Sequence, residues 1–343
     1  MFYNDIDLYP REYTYQVRAN YGEYGYSVLS NETLQIISGG TTRNLALFEI
    51  GSGTWCTYCP GSAMAADELV ANNKSVAIVE YHVNDKYQNA FSNARNTYYD
   101  ISTIPTLLVD GVLTYEGGDK INSLYNEYLP LYESRMAVPS VHAIDLTVER
   151  SASGEYQATV SIDEVYSYFP DDLYLYVLLT ESHIPEDWLG FTEVNFVYRY
   201  TYPDANGVAL DFTSNTNHTE QINFTIPDSI NQNNCELVAF VQHKSSKEIT
   251  QAVKYDIGAL VSVDQLEKQK IKVYPNPAKS KLYIEAIQNG KLQIYNNAGQ
   301  RMYIADIQYG KNEINIRSLS PGIYYINILS ETEMMHSKLI IVE

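Results

Sequence analysis

Positive charge is scarce in this 343-residue chain: 23 lysines and arginines face 42 aspartates and glutamates, for a formal charge of −19. A nucleic-acid backbone is held by clustered cations, so nucleic acid is excluded as a main partner. An acidic surface chiefly keeps a chain in solution. No run approaches the roughly 18 apolar residues of a membrane-spanning helix, so no transmembrane segment is expected. The six histidines are scattered without H-x-x-x-H spacing, which speaks against a zinc centre. No G-x-S-x-G, P-loop or dinucleotide fingerprint occurs, and no cofactor is expected. Met1 to Asp5 has neither a basic start nor an apolar run, so it does not read as an export leader. Cysteine is rarer still, at three, a count that suits a reducing or an oxidising compartment alike.

What is present is concentrated. Two of the three cysteines stand in Trp55-Cys56-Thr57-Tyr58-Cys59-Pro60, between an apolar run and a helix-like segment. A thiolate at a helix N-terminus is stabilised by unpaired N–H groups and the helix dipole, and the second thiol of such a pair can resolve a mixed disulfide made by the first. A purely structural bond would close a very small loop and contribute only about 2 kcal/mol, against about 3 for a 15-residue loop. Redox chemistry is therefore the favoured reading, with a structural bond as the other.

Asn44–Ile50 reads as a buried strand and Gly51-Ser-Gly53 as the loop into the motif. Pro60–Asn72 carries Ala63, Ala66, Leu69 and Val70 at helical spacing, with proline tolerated in the first turn. Ser75–Val83 is a second strand and Gln88–Tyr99 a second helix. Leu107–Val109 and Val112–Tyr115 are strands joined by an Asp110-Gly111 turn. Asp119 is the expected N-cap of a third helix bearing Ile121, Leu124, Tyr125 and Tyr128.

This β-α-β-α-β-β-α order resembles the thioredoxin fold over residues 39–138. The wording FEIGSGTWCTYCP resembles the outer membrane protein 28-related family, exported proteins of the Bacteroidota in which such a domain precedes a β-sandwich. The resemblance implies that Cys56 is the exposed attacking cysteine, Cys59 the buried resolving one, Pro105 the cis-proline facing them, and Trp55 the flanking tryptophan. Glu49 falls one residue from the buried acid that helps deprotonate the resolving thiol; as a plain strand-end residue it would simply be solvated.

Residues 271–343 carry Tyr274-Pro-Asn-Pro277, Ile294-Tyr295 with Gly299, Leu319-Ser-Pro-Gly322-Ile-Tyr324 and Lys338-Leu-Ile-Ile-Val342, on short strands separated by turn residues. They resemble the type A C-terminal sorting domain of the type IX secretion system. That resemblance implies an outer-membrane translocon as partner and a secreted or cell-surface, outer-membrane-attached location. Residues 1–38, with Leu8, Pro10 and Tyr13, resemble the end of a fibronectin type III domain. Half a sandwich buries no core of its own, so the chain is expected to be the C-terminal part of a longer precursor.

Between these lie strand candidates Val141–Glu149, Tyr156–Ile162, Leu173–Thr180, Phe196–Tyr202, Glu220–Thr225, Leu237–His243 and Ala252–Tyr255. The expected fold is thus an α+β multidomain chain. It comprises a partial fibronectin type III segment (1–38), a thioredoxin-like α/β domain (39–138), an antiparallel β-sandwich (139–258), a linker (259–270) and a second sandwich, the sorting domain (271–343). Trp188 is read as a sandwich-edge plug or a ligand rim, His82 as structural or at the surface, and Cys235 as a buried thiol. Two functions stand open: a thiol–disulfide oxidoreductase acting on thiol-containing proteins, or a non-catalytic extracellular binding or adhesion module.

Overall fold

The computed structural model describes residues 8–151, 153–166, 172–260, 272–286, 289–329 and 334–342. Met1–Asp5 and nearly all of the expected linker 259–270 lie outside them. The chain divides into two compact units, with the division at Leu260.

The first unit opens with an antiparallel pair, β1 (Arg11–Tyr15) and β2 (Thr33–Ile37). The next elements follow the order read from the sequence: β3 (Ala46–Ser52), α1 (Pro60–Ala71), β4 (Val76–His82), α2 (Ala90–Tyr98), β5 (Thr106–Val109), β6 (Leu113–Glu116) and α3 (Tyr125–Met136). β3 runs parallel to β4 and antiparallel to β5, and β6 closes that edge. Both faces of β3 are covered, so all seven of its residues are buried. Ala46, Phe48 and Ile50 meet α1 and α3, while Leu45 and Leu47 meet α2. α3 starts later than expected. Asp119 caps the preceding loop, accepting from the backbone of Ile121 and Asn122 at 2.8 Å, and Leu124 holds the N-cap position.

Among the described residues, ten more strands follow in this unit: β7 (His142–Arg150), β8 (Tyr156–Glu164), β9 (Leu173–Glu181), β10 (Ile184–Trp188), β11 (Phe191–Val194), β12 (Val197–Tyr202), β13 (Val208–Leu210), β14 (Asn217–Phe224), β15 (Cys235–His243) and β16 (Ile249–Asp256). β14, β8 and β7 make one antiparallel sheet. β16, β15, β9 and β12 continue directly into β4, β3, β5 and β6 as a single large sheet. The seam is the parallel pairing of Val197 with Glu80, where Glu80 N–H donates to Phe196 O at 2.8 Å. The expected division at residues 138/139 therefore meets no break. One core contains Leu47, Tyr81 and Phe91 from before it and Leu178, Tyr198 and Phe240 from after it.

Two buried ionic clusters tie the halves of this sheet together. In the first, Glu49 accepts from Tyr81 Oη at 2.8 Å, from Arg95 Nε at 3.0 Å and from Tyr99 Oη, while Arg95 Nη1 donates to Gln242 at 2.8 Å. In the second, Asp110 Oδ2 lies 3.0 Å from both Arg43 and Arg135, and Arg135 reaches Glu248 at 3.0 Å. Asp110 and Gly111 both have positive φ, +48° and +72°, as the tight turn requires. A Cβ on Gly111 would also stand 2.0 Å from Lys247 O, so the turn can approach β16 only with glycine there.

The second unit has β17 (Lys272–Tyr274), β18 (Lys281–Ala286), β19 (Gly290–Asn296), β20 (Arg301–Ile307), β21 (Gly310–Asn315), β22 (Gly322–Leu329) and β23 (Met334–Ile341). These form a three-stranded sheet, β17-β18-β21, and a four-stranded sheet, β20-β19-β22-β23. Leu282, Ile284, Ile294, Ile314, Ile326 and Leu339 share a core. Asn276 stitches the first motif to the last: its Nδ2 donates to Lys338 O and its Oδ1 accepts from Ile340 N–H, each at 2.8 Å. Ala278 pairs with Ile341 alongside.

Arg95→Leu should destabilise the first unit by about 3–5 kcal/mol, because Glu49 is then buried without its cation. Replacing both by apolar residues, Glu49→Leu with Arg95→Met, should restore most of that. Urea unfolding of the wild type and both variants checks this; equal losses in the two would show the pair is not the joint.

Candidate active site

Cys59 occupies the N-cap position of α1 with Pro60 directly after it, and it is disulfide-bonded to Cys56. Proline suits this place because a first-turn N–H has no intrahelical partner to lose. Cys59 N–H donates to Cys56 O at 3.1 Å, and the Cys59 carbonyl accepts from Ser62 and Ala63, so the motif is itself the start of the helix. The Ile104–Pro105 peptide is cis, and the Ile104 carbonyl lies 3.7 Å from Cys56 Sγ. Gly118 permits this closeness: a Cβ there would stand 2.1 Å from Tyr58 O and 2.8 Å from the Pro105 ring. Trp55 is 53 % exposed beside the pair and donates its indole N–H to Val83 O at 2.7 Å.

The structure thus brings Trp55, Cys56, Cys59 and Pro105 together. Two expectations need correction. Cys56 is not an exposed cysteine: it is only 4 % accessible, and Cys59 is fully buried. Tyr87, Ile104 and Trp188 pack around them. Glu49 is not beneath the sulfurs either. It belongs to the opposite face of β3 from α1, where Arg95, Tyr81 and Tyr99 use both its oxygens.

Sequence reasoning missed two features of the site. One is the β10–β11 hairpin, which carries Ile184, Trp188, Phe191 and Val194 against the disulfide. Trp188 stacks on Phe191 at 4.9 Å and donates to Glu193 O, while Glu186 accepts from Tyr87 Oη at 3.0 Å. The other is a buried charge row. His82 Nδ1 is 2.7 Å from Asp85 Oδ2, and its Nε2 is 3.4 Å from Glu80 Oε2. Burial alone would push the imidazole pKa down; its hydrogen bond to Asp85 and the charge of the neighbouring Glu80 carboxylate prevail and hold it at about 9. The same Asp85 oxygen accepts from Thr54 N–H at 2.9 Å, which ties the row to the loop entering the cysteine motif. The spacing of His82 and Asp85, three residues apart at a strand end, was the available signal. Cys235 is buried as expected, its Sγ 3.4 Å from Asn231 O, and burial pushes its thiol up to about 12.

An open cleft of about 720 Å³ runs beside the disulfide, lined by Trp55, Cys56, Tyr58 and Ile104 and by residues of the α2 region. Among the described residues no helix is long and apolar enough to cross a membrane.

Residues 272–342 match the family described as a secretion system C-terminal sorting domain. The chain therefore carries a type IX sorting domain, is handled by that secretion system, and is directed to the cell surface or beyond. No curated protein matches the sequence. Among solved structures, HBP35 of Porphyromonas gingivalis is similar at a TM-score of 0.55 and 17 % identity, over 88 % of this chain and 100 % of that one. The two share a fold. A biofilm-associated protein, its BSP domain, superposes at a TM-score of only 0.20 and 11 % identity, over 67 % of this chain and 57 % of that one.

Because the folded-state pKa of His82 is raised, its contribution to stability is complete below about pH 6.5 and is lost as the pH rises towards about 9. The loss is on the order of 3 kcal/mol. Urea midpoints measured from pH 6 to 9.5 should fall more steeply for the wild type than for His82→Gln. Parallel slopes would mean that His82 is not held as a cation.

Proposed function

We propose that residues 39–138 are a thioredoxin-like domain, and that Cys56 and Cys59 form a thiol–disulfide exchange centre in an exported protein. What carries this reading is the bonded pair at the start of α1, with the Ile104 carbonyl 3.7 Å from Cys56 Sγ. In the reduced protein the Cys56 thiolate, favoured by the helix N-terminus, attacks one sulfur of a substrate disulfide and expels the other as a thiolate. The Cys59 thiolate then attacks Cys56 Sγ, releasing the second substrate sulfur and closing the Cys56–Cys59 bond. Two electrons pass to the substrate; the reverse sequence oxidises a dithiol. Backbone at Ile104–Pro105 receives the substrate chain, and Trp55 shields one flank of the pair. Glu49 has no part in this chemistry, being committed to the buried joint.

In the same reading, the outer membrane protein 28-related family is the relationship that joins this domain to the following β-sheets. The β1–β2 pair is the remnant of a fibronectin type III unit. A second reading is favoured by one observation, the burial of both sulfurs under the β10–β11 hairpin. On that reading the disulfide is inert and the chain is a binding or adhesion module.

A Cys59→Ser variant, which can form but not resolve a mixed disulfide, should accumulate covalent adducts with exported thiol proteins, and Cys56→Ser should accumulate none. Wild type should equilibrate with glutathione buffers. An empty trap together with a bond that excess glutathione leaves intact would select the inert module. Separately, deleting residues 272–343 in a bacterium with a type IX apparatus should leave the protein in the periplasm on fractionation.

A further inference from the structure

Among the described residues, β10 and β11 pair as strands only with each other, whereas β9 before them and β12 after them belong to the large sheet. The body of the unit grips the chain right up to this hairpin on both sides. Ser182 N–H donates to Asn234 O at 2.9 Å, and Phe196 O accepts from Glu80 N–H at 2.8 Å. The two residues at those points, His183 and Phe196, have φ of +52° and +56°. Left-handed backbone is uncommon for an ordinary side chain and an outlier for a bulky one, and it persists only where the surroundings impose it. Among the described contacts, only side chains hold the hairpin down between these two points. Trp188 and its apolar neighbours lie on the disulfide, Glu186 meets Tyr87 and Lys86, and Asn195 Nδ2 donates to Asp67 Oδ1 at 3.0 Å. Asp67, Glu80 and Glu193 line the small void left underneath. Three carboxylates are better served by water than by a fixed plug.

We propose that this hairpin is a hinged lid: it swings as a unit about His183 and Phe196, lifts Trp188 off the Cys56–Cys59 bond, and thiol–disulfide exchange proceeds only while it is open. This deepens the redox reading, and rests on it, by naming what controls access to the pair. Exchange needs a thiolate to reach one sulfur of the bond. The closed hairpin leaves Cys59 fully buried and Cys56 nearly so. Opening exposes the apolar face of the hairpin, which opposes it; release of the two left-handed residues and hydration of the carboxylates offset part of that. The bond from Tyr87 Oη to Glu186 is the latch, joining the hairpin to the loop between β4 and α2. No backbone ladder has to part for it to open.

The lid can be tested on the oxidised full chain by hydrogen exchange with mass spectrometry and by the rate of reduction with dithiothreitol. Amides of residues 184–194 should exchange through an opening that low urea does not accelerate, while those of β9 and β12 wait for unfolding of the whole unit. Tyr87→Phe, which removes only the latch hydroxyl, should raise the hairpin exchange and the reduction rate by the same factor, about fivefold. Glu186→Ala breaks the latch from the hairpin side and should do the same, so the comparison survives if one of the two variants does not fold. Hairpin amides that exchange only together with β9 and β12 overturn the proposal, as does a reduction rate that neither variant changes. Matched increases alongside a Cys59→Ser variant that traps no partner would instead remove the redox reading and leave the lid standing.

Discussion

The first unit is organised by the need to bury charge without leaving it unpaired. Arg43, Arg95 and Arg135 all lie out of water, and each is satisfied only when strands from both ends of the chain segment arrive in register. Taking an ion out of water costs several kcal/mol, and attraction in the interior returns it only in good geometry. Such clusters therefore add little net stability, but they penalise any arrangement in which one partner is missing. Arg95 cannot be satisfied without Gln242, nor Arg135 without Glu248. That dependence makes one continuous sheet out of two segments that read as separate domains.

The same constraint shapes the cysteine site. Because Glu49 is taken by the joint, it is unavailable to the sulfurs on the other face of β3. Because β9 is locked beside β15, the hairpin that leaves it, β10–β11, is delivered against Cys56 and Cys59 rather than into solvent. The burial of the disulfide and the continuity of the sheet thus have a common origin. The charge row through Glu80, His82 and Asp85 sits at the seam as well: Glu80 pairs with Val197 through its backbone and stands beside His82 through its side chain.

Much of this was legible in the residues. The extents of β7, β8, β14 and α1 matched the expected segments within two or three residues at the ends, although Val70, expected on the apolar face of α1, is exposed. The C-x-x-C motif located the helix start. The ordered motifs of residues 272–342 located the export domain. The rest was hidden for physical reasons. β3 is covered on both faces, so hydrophobic periodicity could not tell which face Glu49 takes. Asp119 carries the right chemistry for a helix cap, but its carboxylate is satisfied by its own loop. β10 contains Pro185, Glu186 and Asp187, a composition that reads as loop. The seam between β12 and β4 rests on one register pair, which leaves no compositional trace.

The stitch made by Asn276 bears on how the second unit is closed. It joins a residue near the start of the sorting domain to the backbone of its last strand, and Ala278 pairs with Ile341 beside it. Its two hydrogen bonds span sequence separations of 62 and 64 residues. Asn276 is therefore a clasp: the first motif of the unit and its edge strand are held together or released together.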